Sequence, residues 1–273
     1  MTASAGLRFY KMTGSGNDFV VVDARDDPHD ELRSPAVIQE LSARGTGIGA
    51  DGLVLLAAEP GVDFRMIYYN ADGSRASMCG NAALCCTSLA TQLGPASGKA
   101  LHFATDSGLV TGRVVDGRPE IDLAAVMNVK PQVPVSPSVG ESLIGYAVAG
   151  VPHLTIVVAD VGHADVAGRG RDLRWSPELA PDGANANFVS RAGSKWAIRT
   201  YERGVEGETL ACGTGAVASA ILLRIWGLAE GDVDLQTRSG RILTVKLTQQ
   251  GARWLPTLAG EGRIVFAGEI PPA

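Results

Sequence analysis

Short hydrophobic runs separated by turns rich in glycine, proline and polar residues recur along most of the chain. Runs of this length and spacing are typical of β-strands. We predict strands at 7–11, 19–22, 53–57, 63–69, 100–103, 109–115, 120–123, 144–148, 154–158, 195–201, 241–247, 253–255 and 263–267. Asp116-Gly117, between two of these runs, favours a tight hairpin turn.

Three stretches have the hydrophobic spacing of helices instead. They begin after Ser34, Cys79 and Cys212, and they meet breakers at Gly45, Gly94-Pro95 and Gly227. Many strands with a few helices predict a mixed α+β fold, in which sheets can wrap around central helices.

Several motifs occur twice, once in each half of the chain. The matching pairs are 14–20 with 183–189, 69–73 with 201–204, and 77–83 with 210–216. We interpret them as a diverged internal duplication. We therefore predict two similar domains, 1–129 and 130–273, joined through the proline-rich stretch 130–137, with a last strand that could return to the first domain.

Composition limits the classes of function. The 273 residues are 45% hydrophobic and 19% charged, with a net charge of −5 and no basic stripe. This balance argues against a general nucleic-acid-binding role. The first six residues do not resemble a secretion signal, and no stretch predicts a membrane span, so we expect a cytoplasmic protein.

The four cysteines have neither a disulfide pattern nor a zinc-binding spacing. Cys85 and Cys86 lie inside a predicted helix and are interpreted as core residues. Cys79 and Cys212 each precede a glycine at a predicted helix start, where the helix dipole favours negative charge and lowers a thiol pKa. They are the candidate acid/base pair.

Two thiols can invert a carbon that bears a hydrogen. One thiolate removes the proton from one face, and the other thiol returns a proton to the opposite face. The helix starts at Gly80-Asn81 and Gly213-Thr214 could hold a substrate carboxylate. No lysine motif for a pyridoxal cofactor is evident, so the leading hypothesis is a racemase or epimerase that needs no cofactor and no metal.

The motifs also resemble the diaminopimelate epimerase family. The matching segments run through nearly the whole chain: 11–19, 49–52, 69–74, 78–81, 152–153, 185–188, 201–204 and 211–215. The resemblance implies two pseudo-symmetric domains, each with a mixed or antiparallel β-sheet wrapped around a central helix. It also implies interconversion of LL- and meso-diaminopimelate in lysine and peptidoglycan precursor biosynthesis, a homodimer, and no cofactor.

The resemblance assigns roles to individual residues. Cys79 and Cys212 would be the acid/base residues. The reacting carboxylate would contact Asn81 and the backbone of Gly80, Gly213 and Thr214. The distal end of the substrate would contact Asn17, Asn70, Asn185 and Arg203, with Glu202 accepting from an amino group, and His153 could tune a thiol.

The chain departs from the family pattern at four positions. Val151 stands where the family often has asparagine, Ala82 and Leu84 replace a glycine and an arginine, and Gly52 occupies a glutamine position. The first three bear on how the substrate carboxylate and the distal end are held.

Other functions remain open at this point. A racemase of proline, hydroxyproline or histidine would use the same two thiols but would not require Asn70, Asn185, Glu202 and Arg203. An acyl-transfer enzyme would pair Cys212 with His153 as nucleophile and base. A redox-sensing protein would join Cys79 to Cys212 in a disulfide.

Overall fold

A computed structural model describes residues 6–94, 100–179 and 181–271. The first five residues and the predicted breaker Pro95 lie outside these ranges. The chain divides into two units, Met1–Ile121 with Glu261–Ala273, and Asp122–Gly260.

The first unit contains strands from both ends of the chain. The strands are β1 (Leu7–Gly14), β2 (Asn17–Ala24), β3 (Gly52–Ala57), β4 (Phe64–Asn70), β5 (Arg75–Ala76), β6 (Leu101–Thr105), β7 (Gly108–Val115), β8 (Arg118–Asp122, which reaches the boundary) and β17 (Arg263–Ile270). The helices are α1 (Pro35–Ser42) and α2 (Gly80–Leu93), with a 3₁₀ helix at Asp30–Arg33. The terminal strands β1 and β17 pair antiparallel.

The second unit has its own strands and helices. The strands are β9 (Glu141–Ala149), β10 (Val151–Val158), β11 (Asn185–Ala192), β12 (Lys195–Glu202), β13 (Gly207–Thr209), β14 (Val233–Gln236), β15 (Ile242–Gln250) and β16 (Arg253–Ala259). The helices are α3 (Gly168–Arg174) and α4 (Gly213–Ile225), with 3₁₀ helices at Val161–His163 and Pro177–Leu179.

Strand pairing repeats between the units. In the first, β1–β2, β3–β4 and β6–β7 are antiparallel, whereas β2–β3 and β4–β6 are parallel. In the second, β9–β10, β11–β12 and β14–β15 are antiparallel, whereas β10–β11 and β12–β14 are parallel. The same order of pairings in both units agrees with the duplication inferred from the motifs.

A buried helix lies at the centre of each unit. Helix α2 contacts β1, β2, β4, β7 and β17, and α4 contacts β9, β10, β11, β15 and β16. Each central helix packs closely against a strand at a glycine. A Cβ on Gly112 of β7 would lie 2.4 Å from Thr87 Oγ1 of α2, and a Cβ on Gly145 of β9 would lie 2.6 Å from Leu222 Cδ2 of α4. The predicted α+β fold with sheets around central helices is confirmed.

All the strands predicted from hydrophobic runs are present, with ends that differ by a few residues. Asp116 and Gly117 both have positive φ, 50° and 77°, as a two-residue hairpin turn requires. The hydrophobic pattern missed β5, β11, β13, β14 and α3. Strand β11 begins with Asn185 and Asn187, which are buried although their composition is typical of a loop. Within the described ranges, no helix is long and apolar enough to cross a membrane.

Candidate active site

Cys79 is the N-cap residue of α2, as predicted. Its backbone is extended, with φ −134° and ψ 121°, and its carbonyl accepts the first helical hydrogen bond from Ala83 N at 2.9 Å. The N–H groups of Gly80 and Asn81 therefore belong to the first turn, which has no i−4 carbonyl to donate to. The Cys79 side chain is partly exposed. A thiol at this place lies beside backbone donors suited to an anion.

Cys212 has the same position in α4. It is the N-cap residue, with φ −134° and ψ 110°, and its carbonyl accepts from Ala216 N at 3.0 Å. Its sulfur accepts a hydrogen bond from Gly215 N at 3.4 Å and lies 3.6 Å from Thr214 Oγ1. The Gly215 N–H donor favours negative charge on the sulfur. The two candidate cysteines thus occupy equivalent positions in the two units.

A row of amides and carboxylates leads to the start of α2. Asn81 Nδ2 donates to Asn17 Oδ1 at 2.7 Å, and Asn17 Nδ2 donates to Asp51 Oδ2 at 2.9 Å. The backbone N–H of Asp18 also donates to Asp51 Oδ2, at 3.2 Å. Two predicted substrate-binding residues, Asn17 and Asn81, are therefore in direct contact.

Two cations hold this row in place. Arg44 bonds both Asp18 and Asp51, at 2.6 and 2.7 Å, and Lys11 bonds Asp18 at 2.6 Å and the carbonyl oxygen of Gly49. Burial alone would raise the pKa of Asp18, but hydrogen bonds from Arg44 and Lys11 outweigh it and hold that pKa below its ordinary value. Asp18 is therefore a carboxylate at neutral pH.

Asn70 ends β4 and has a turn contact of its own. Its Nδ2 donates to Ser74 Oγ at 3.0 Å, and its backbone N–H donates to the Ser74 carbonyl at 2.9 Å. The next residue, Ala71, donates its N–H to the Asp51 carbonyl at 3.0 Å. Asn70 thus lies next to the residue that bonds the Asp51 backbone, and its own side chain bonds Ser74.

In the second unit, His153 lies among asparagines of β11. Its Nδ1 is 3.2 Å from Asn187 Nδ2 and 3.4 Å from Asn185 Nδ2. Burial, with a smaller contribution from the positive charge of Arg203, lowers the pKa of His153 to about 3. His153 is therefore a neutral imidazole at physiological pH.

Arg203 and Glu202 lie where β12 ends. The backbone N–H of Arg203 donates to Asn185 Oδ1 at 2.6 Å, and Arg203 Nη1 donates to the Asp182 carbonyl at 3.4 Å. Glu202 is the last residue of β12. The structure therefore brings Asn185, Arg203 and His153 into one connected group.

Two residues of these networks had no role in the sequence-based assignment: Asp51, which is partly exposed, and Asn187, which is fully buried. Asn187 Oδ1 accepts from Thr200 Oγ1 at 2.9 Å, and its Nδ2 donates to the Leu154 carbonyl at 2.7 Å. Alternating positions of a strand point to the same face, so the pair Asn185 and Asn187 carried a usable signal. The sequence signal for Asp51 was weaker, because its partners Asn17 and Asp18 are more than 30 positions away in the chain.

The positions that depart from the family pattern have distinct surroundings. Ala82 and Leu84 are fully buried in α2, and Val151 is the partly buried first residue of β10. A Cβ on Gly52 would lie 2.2 Å from the Tyr69 carbonyl oxygen, so this backbone has no room for a larger side chain. Across the described ranges, no group of three or more His, Cys, Asp or Glu side chains is placed to hold a metal ion.

Comparison with known proteins identifies the family. The diaminopimelate epimerase family model matches residues 9–131 and 145–264. The chain is 48% identical to the diaminopimelate epimerase of Gemmatimonas aurantiaca, covering 97% of this chain and 99% of that one. It is 38% identical to the diaminopimelate epimerase of Aquifex aeolicus, covering 89% and 91%.

Solved structures with low sequence identity share the fold. A phenazine biosynthesis protein of the PhzF family from Bacillus anthracis superposes with a TM-score of 0.75 at 15% identity, covering 98% of this chain and 99% of that one. A hydroxyproline epimerase from Agrobacterium vitis superposes with a TM-score of 0.66 at 14% identity, covering 99% and 94%. The fold is therefore shared with these proteins, while the sequence matches are much closer to one family. The chain belongs to the diaminopimelate epimerase family.

Proposed function

We propose that this isomerase interconverts LL- and meso-diaminopimelate without a cofactor, in lysine and peptidoglycan precursor biosynthesis. One structural observation supports this proposal most directly. Each unit has a cysteine at the N-cap of its central helix, and the strands around that helix pair in the same order in both units. Identity of 48% to a diaminopimelate epimerase over nearly the whole chain supports the choice of substrate.

The proposed mechanism uses Cys79 and Cys212 as the two acid/base residues. One acts as a thiolate and removes the α-proton, and the other acts as a thiol and protonates the opposite face of the carbanion. The two residues exchange states in the reverse reaction. Backbone N–H groups of Gly80 and Asn81, and of Gly213 and Thr214, would bind the reacting carboxylate and stabilise the charge that develops on it.

The distal end of the substrate carries a second carboxylate and a second ammonium group. We assign Arg203, Asn185, Asn70 and Asn17 to that end, with Glu202 accepting from an ammonium group. The contact between Arg203 N and Asn185 Oδ1 supports a shared role for these two residues. His153 would act as a neutral polar residue in support of a thiol.

We further propose a homodimer located in the cytoplasm. Val265 and Phe266 of β17 are about half exposed, at 50% and 47%. Hydrophobic side chains on an exposed strand are suited to contact with a second copy.

Phe266→Lys should shift the mass measured by light scattering toward that of a monomer, whereas Leu109→Lys, at an exposed residue of β7, should leave it unchanged. An unchanged mass for Phe266→Lys would exclude β17 as the dimer surface.

Hydrogen exchange in D₂O tests the function itself. Reduced protein is incubated with LL-diaminopimelate, and in parallel with proline, hydroxyproline and histidine, and products are followed by NMR and chiral chromatography. Deuterium at one α-carbon together with the meso isomer is expected. Exchange only with another amino acid would keep the two-thiol mechanism and replace the substrate, and no exchange at all would contradict the proposal.

A further inference from the structure

The side-chain amide of Asn81 has one orientation that satisfies its neighbours. Asp51 is held by Arg44 at 2.7 Å and accepts hydrogen bonds through its carboxylate. Because an ionised carboxylate only accepts, Asn17 must present its NH₂ group to Asp51 and its oxygen to Asn81. Asn81 must then present its NH₂ group to Asn17, at 2.7 Å. The charge on Asp51 thus fixes the orientation of the Asn17 amide, and Asn17 in turn fixes the orientation of the Asn81 amide.

The remaining polar atom of that amide is Asn81 Oδ1. Asn81 is 1% exposed, and within the described part of the chain this oxygen is buried with no hydrogen-bond partner. A buried acceptor without a donor is unfavourable, so such an atom is commonly satisfied by a ligand or a water molecule. It belongs to the first turn of α2, two residues after Cys79.

The chemistry of this oxygen selects between the two groups on the reacting carbon. A carboxylate has no hydrogen to donate, so it cannot bond Asn81 Oδ1, whereas an ammonium group has three. The backbone N–H groups of the same turn have the opposite preference, because they donate to anions. One helical turn therefore offers a donor for the carboxylate and an acceptor for the ammonium group.

We propose that Asn81 Oδ1 accepts a hydrogen bond from the α-ammonium group at the reacting carbon, and that Asp51, acting through Asn17, is the positioning residue that sets this orientation. The inference rests on the proposed epimerase function and refines it, because the side chain of Asn81 then recognises the amino group and only its backbone remains with the carboxylate. Asn17 orients Asn81 in this scheme.

The test compares a substrate that has amino groups with a diacid that lacks them. Diaminopimelate is followed by α-hydrogen exchange in D₂O, and pimelate is measured as a competitive inhibitor of that exchange. Asn81→Ala should raise KM for diaminopimelate about tenfold to a hundredfold, the range for a hydrogen bond to a charged group. It should leave Ki for pimelate within about twofold of the wild type, since pimelate has no ammonium group to lose.

Asp51→Asn tests the orientation without removing a substrate contact. Its neutral amide can donate as well as accept, so Asn17 and Asn81 are free to turn, and KM for diaminopimelate should rise while Ki for pimelate stays near the wild-type value. A purely structural role would weaken both ligands or lower kcat alone. Gln92→Ala is the matched control, because it removes an amide from an exposed position of α2 and should change neither constant.

If Asn81→Ala raised KM for diaminopimelate and Ki for pimelate by the same factor, the Asn81 side chain would bind the carboxylate and not the ammonium group, and the inference would be overturned. Unchanged binding of both would also overturn it. Failure of the proposed function is separately visible, because wild-type protein would then show no exchange with diaminopimelate.

Discussion

Asn187 Nδ2 lies 3.2 Å from Nδ1 of His153, and both residues are fully buried. The same Nδ2 also donates to the Leu154 carbonyl, while Asn187 Oδ1 accepts from Thr200. With the amide fixed in this way, His153 Nδ1 accepts, and its proton is on Nε2. His153 is thus held in one tautomer and, because its pKa is about 3, in its neutral form.

This depressed pKa predicts a loss of stability in acid. In the unfolded chain His153 takes up a proton near pH 6.5, whereas in the folded protein it does so only near pH 3. The unfolded state therefore binds more protons between these values, and stability falls as pH falls through that window. Between pH 7 and pH 4, the free energy of unfolding should drop by roughly 3 kcal/mol more in the wild type than in His153→Gln.

Urea unfolding at the two pH values measures this difference. His102→Gln is the control, because it replaces a histidine at an exposed position of β6 and leaves His153 in place. Equal pH dependence in the wild type and His153→Gln would contradict a neutral buried His153.

Serine at either cysteine should block the proposed reaction. Cys79→Ser and Cys212→Ser each remove a group that exchanges a proton with the substrate, and such a loss costs about 100-fold or more in turnover. Epimerisation followed by chiral chromatography measures the effect, with circular dichroism as the check on folding. Full activity in either variant would contradict the two-base mechanism.

Thiol labelling should separate Cys79 from the cysteines inside α2. Burial raises the pKa of the Cys85 and Cys86 thiols well above the ordinary value, so they remain protonated and inaccessible. Iodoacetamide at pH 8 should modify Cys79 in the folded protein and leave Cys85 and Cys86 unmodified, as read by peptide mass spectrometry. All of these cysteines should react after denaturation. Rapid labelling of Cys85 or Cys86 in the folded state would show that α2 opens.

Gly215 should be intolerant of any side chain. A Cβ there would lie 2.2 Å from Asn187 Oδ1, and the N–H of Gly215 bonds Cys212 Sγ. Gly215→Ala should lower the free energy of unfolding by about 1–3 kcal/mol, as overpacking does, and should also lower turnover. Gly207→Ala is the control, because a Cβ at that position meets no atom within 4 Å. Equal stability of both variants by urea unfolding would contradict this.

Hydrophobic periodicity was sufficient for much of the fold. Strands such as β3 (Gly52–Ala57) are buried along their whole length and were visible as apolar runs. The sequence also predicts that Cys79 and Cys212 lie at helix starts, and both are N-cap residues in the structure. Strand β11 was missed because its first residues are asparagines whose burial depends on partners such as His153 and Thr200, which are distant in sequence. Periodicity within one segment carries no information about such contacts.

The orientation of Asn81 shows the same limit at the site. The sequence placed Asn81 beside Cys79, but the direction of its amide depends on Asn17 and Asp51, which are 64 and 30 positions away in the chain. A charged group can fix an amide only where the fold brings the two together.

The pairing of β1 with β17 also affects how the protein is made. Synthesis runs from the N-terminus, so Leu7–Gly14 leaves the ribosome long before Arg263–Ile270, its partner strand. The whole of the second unit is translated in the interval, and it can complete its own sheet first. Until β17 is synthesised, β1 keeps an open edge, which is a site for pairing with other chains. A chain that lacks Arg263–Ile270 would keep that edge of β1 open, so this strand protects the folded protein from pairing with other chains and from aggregation.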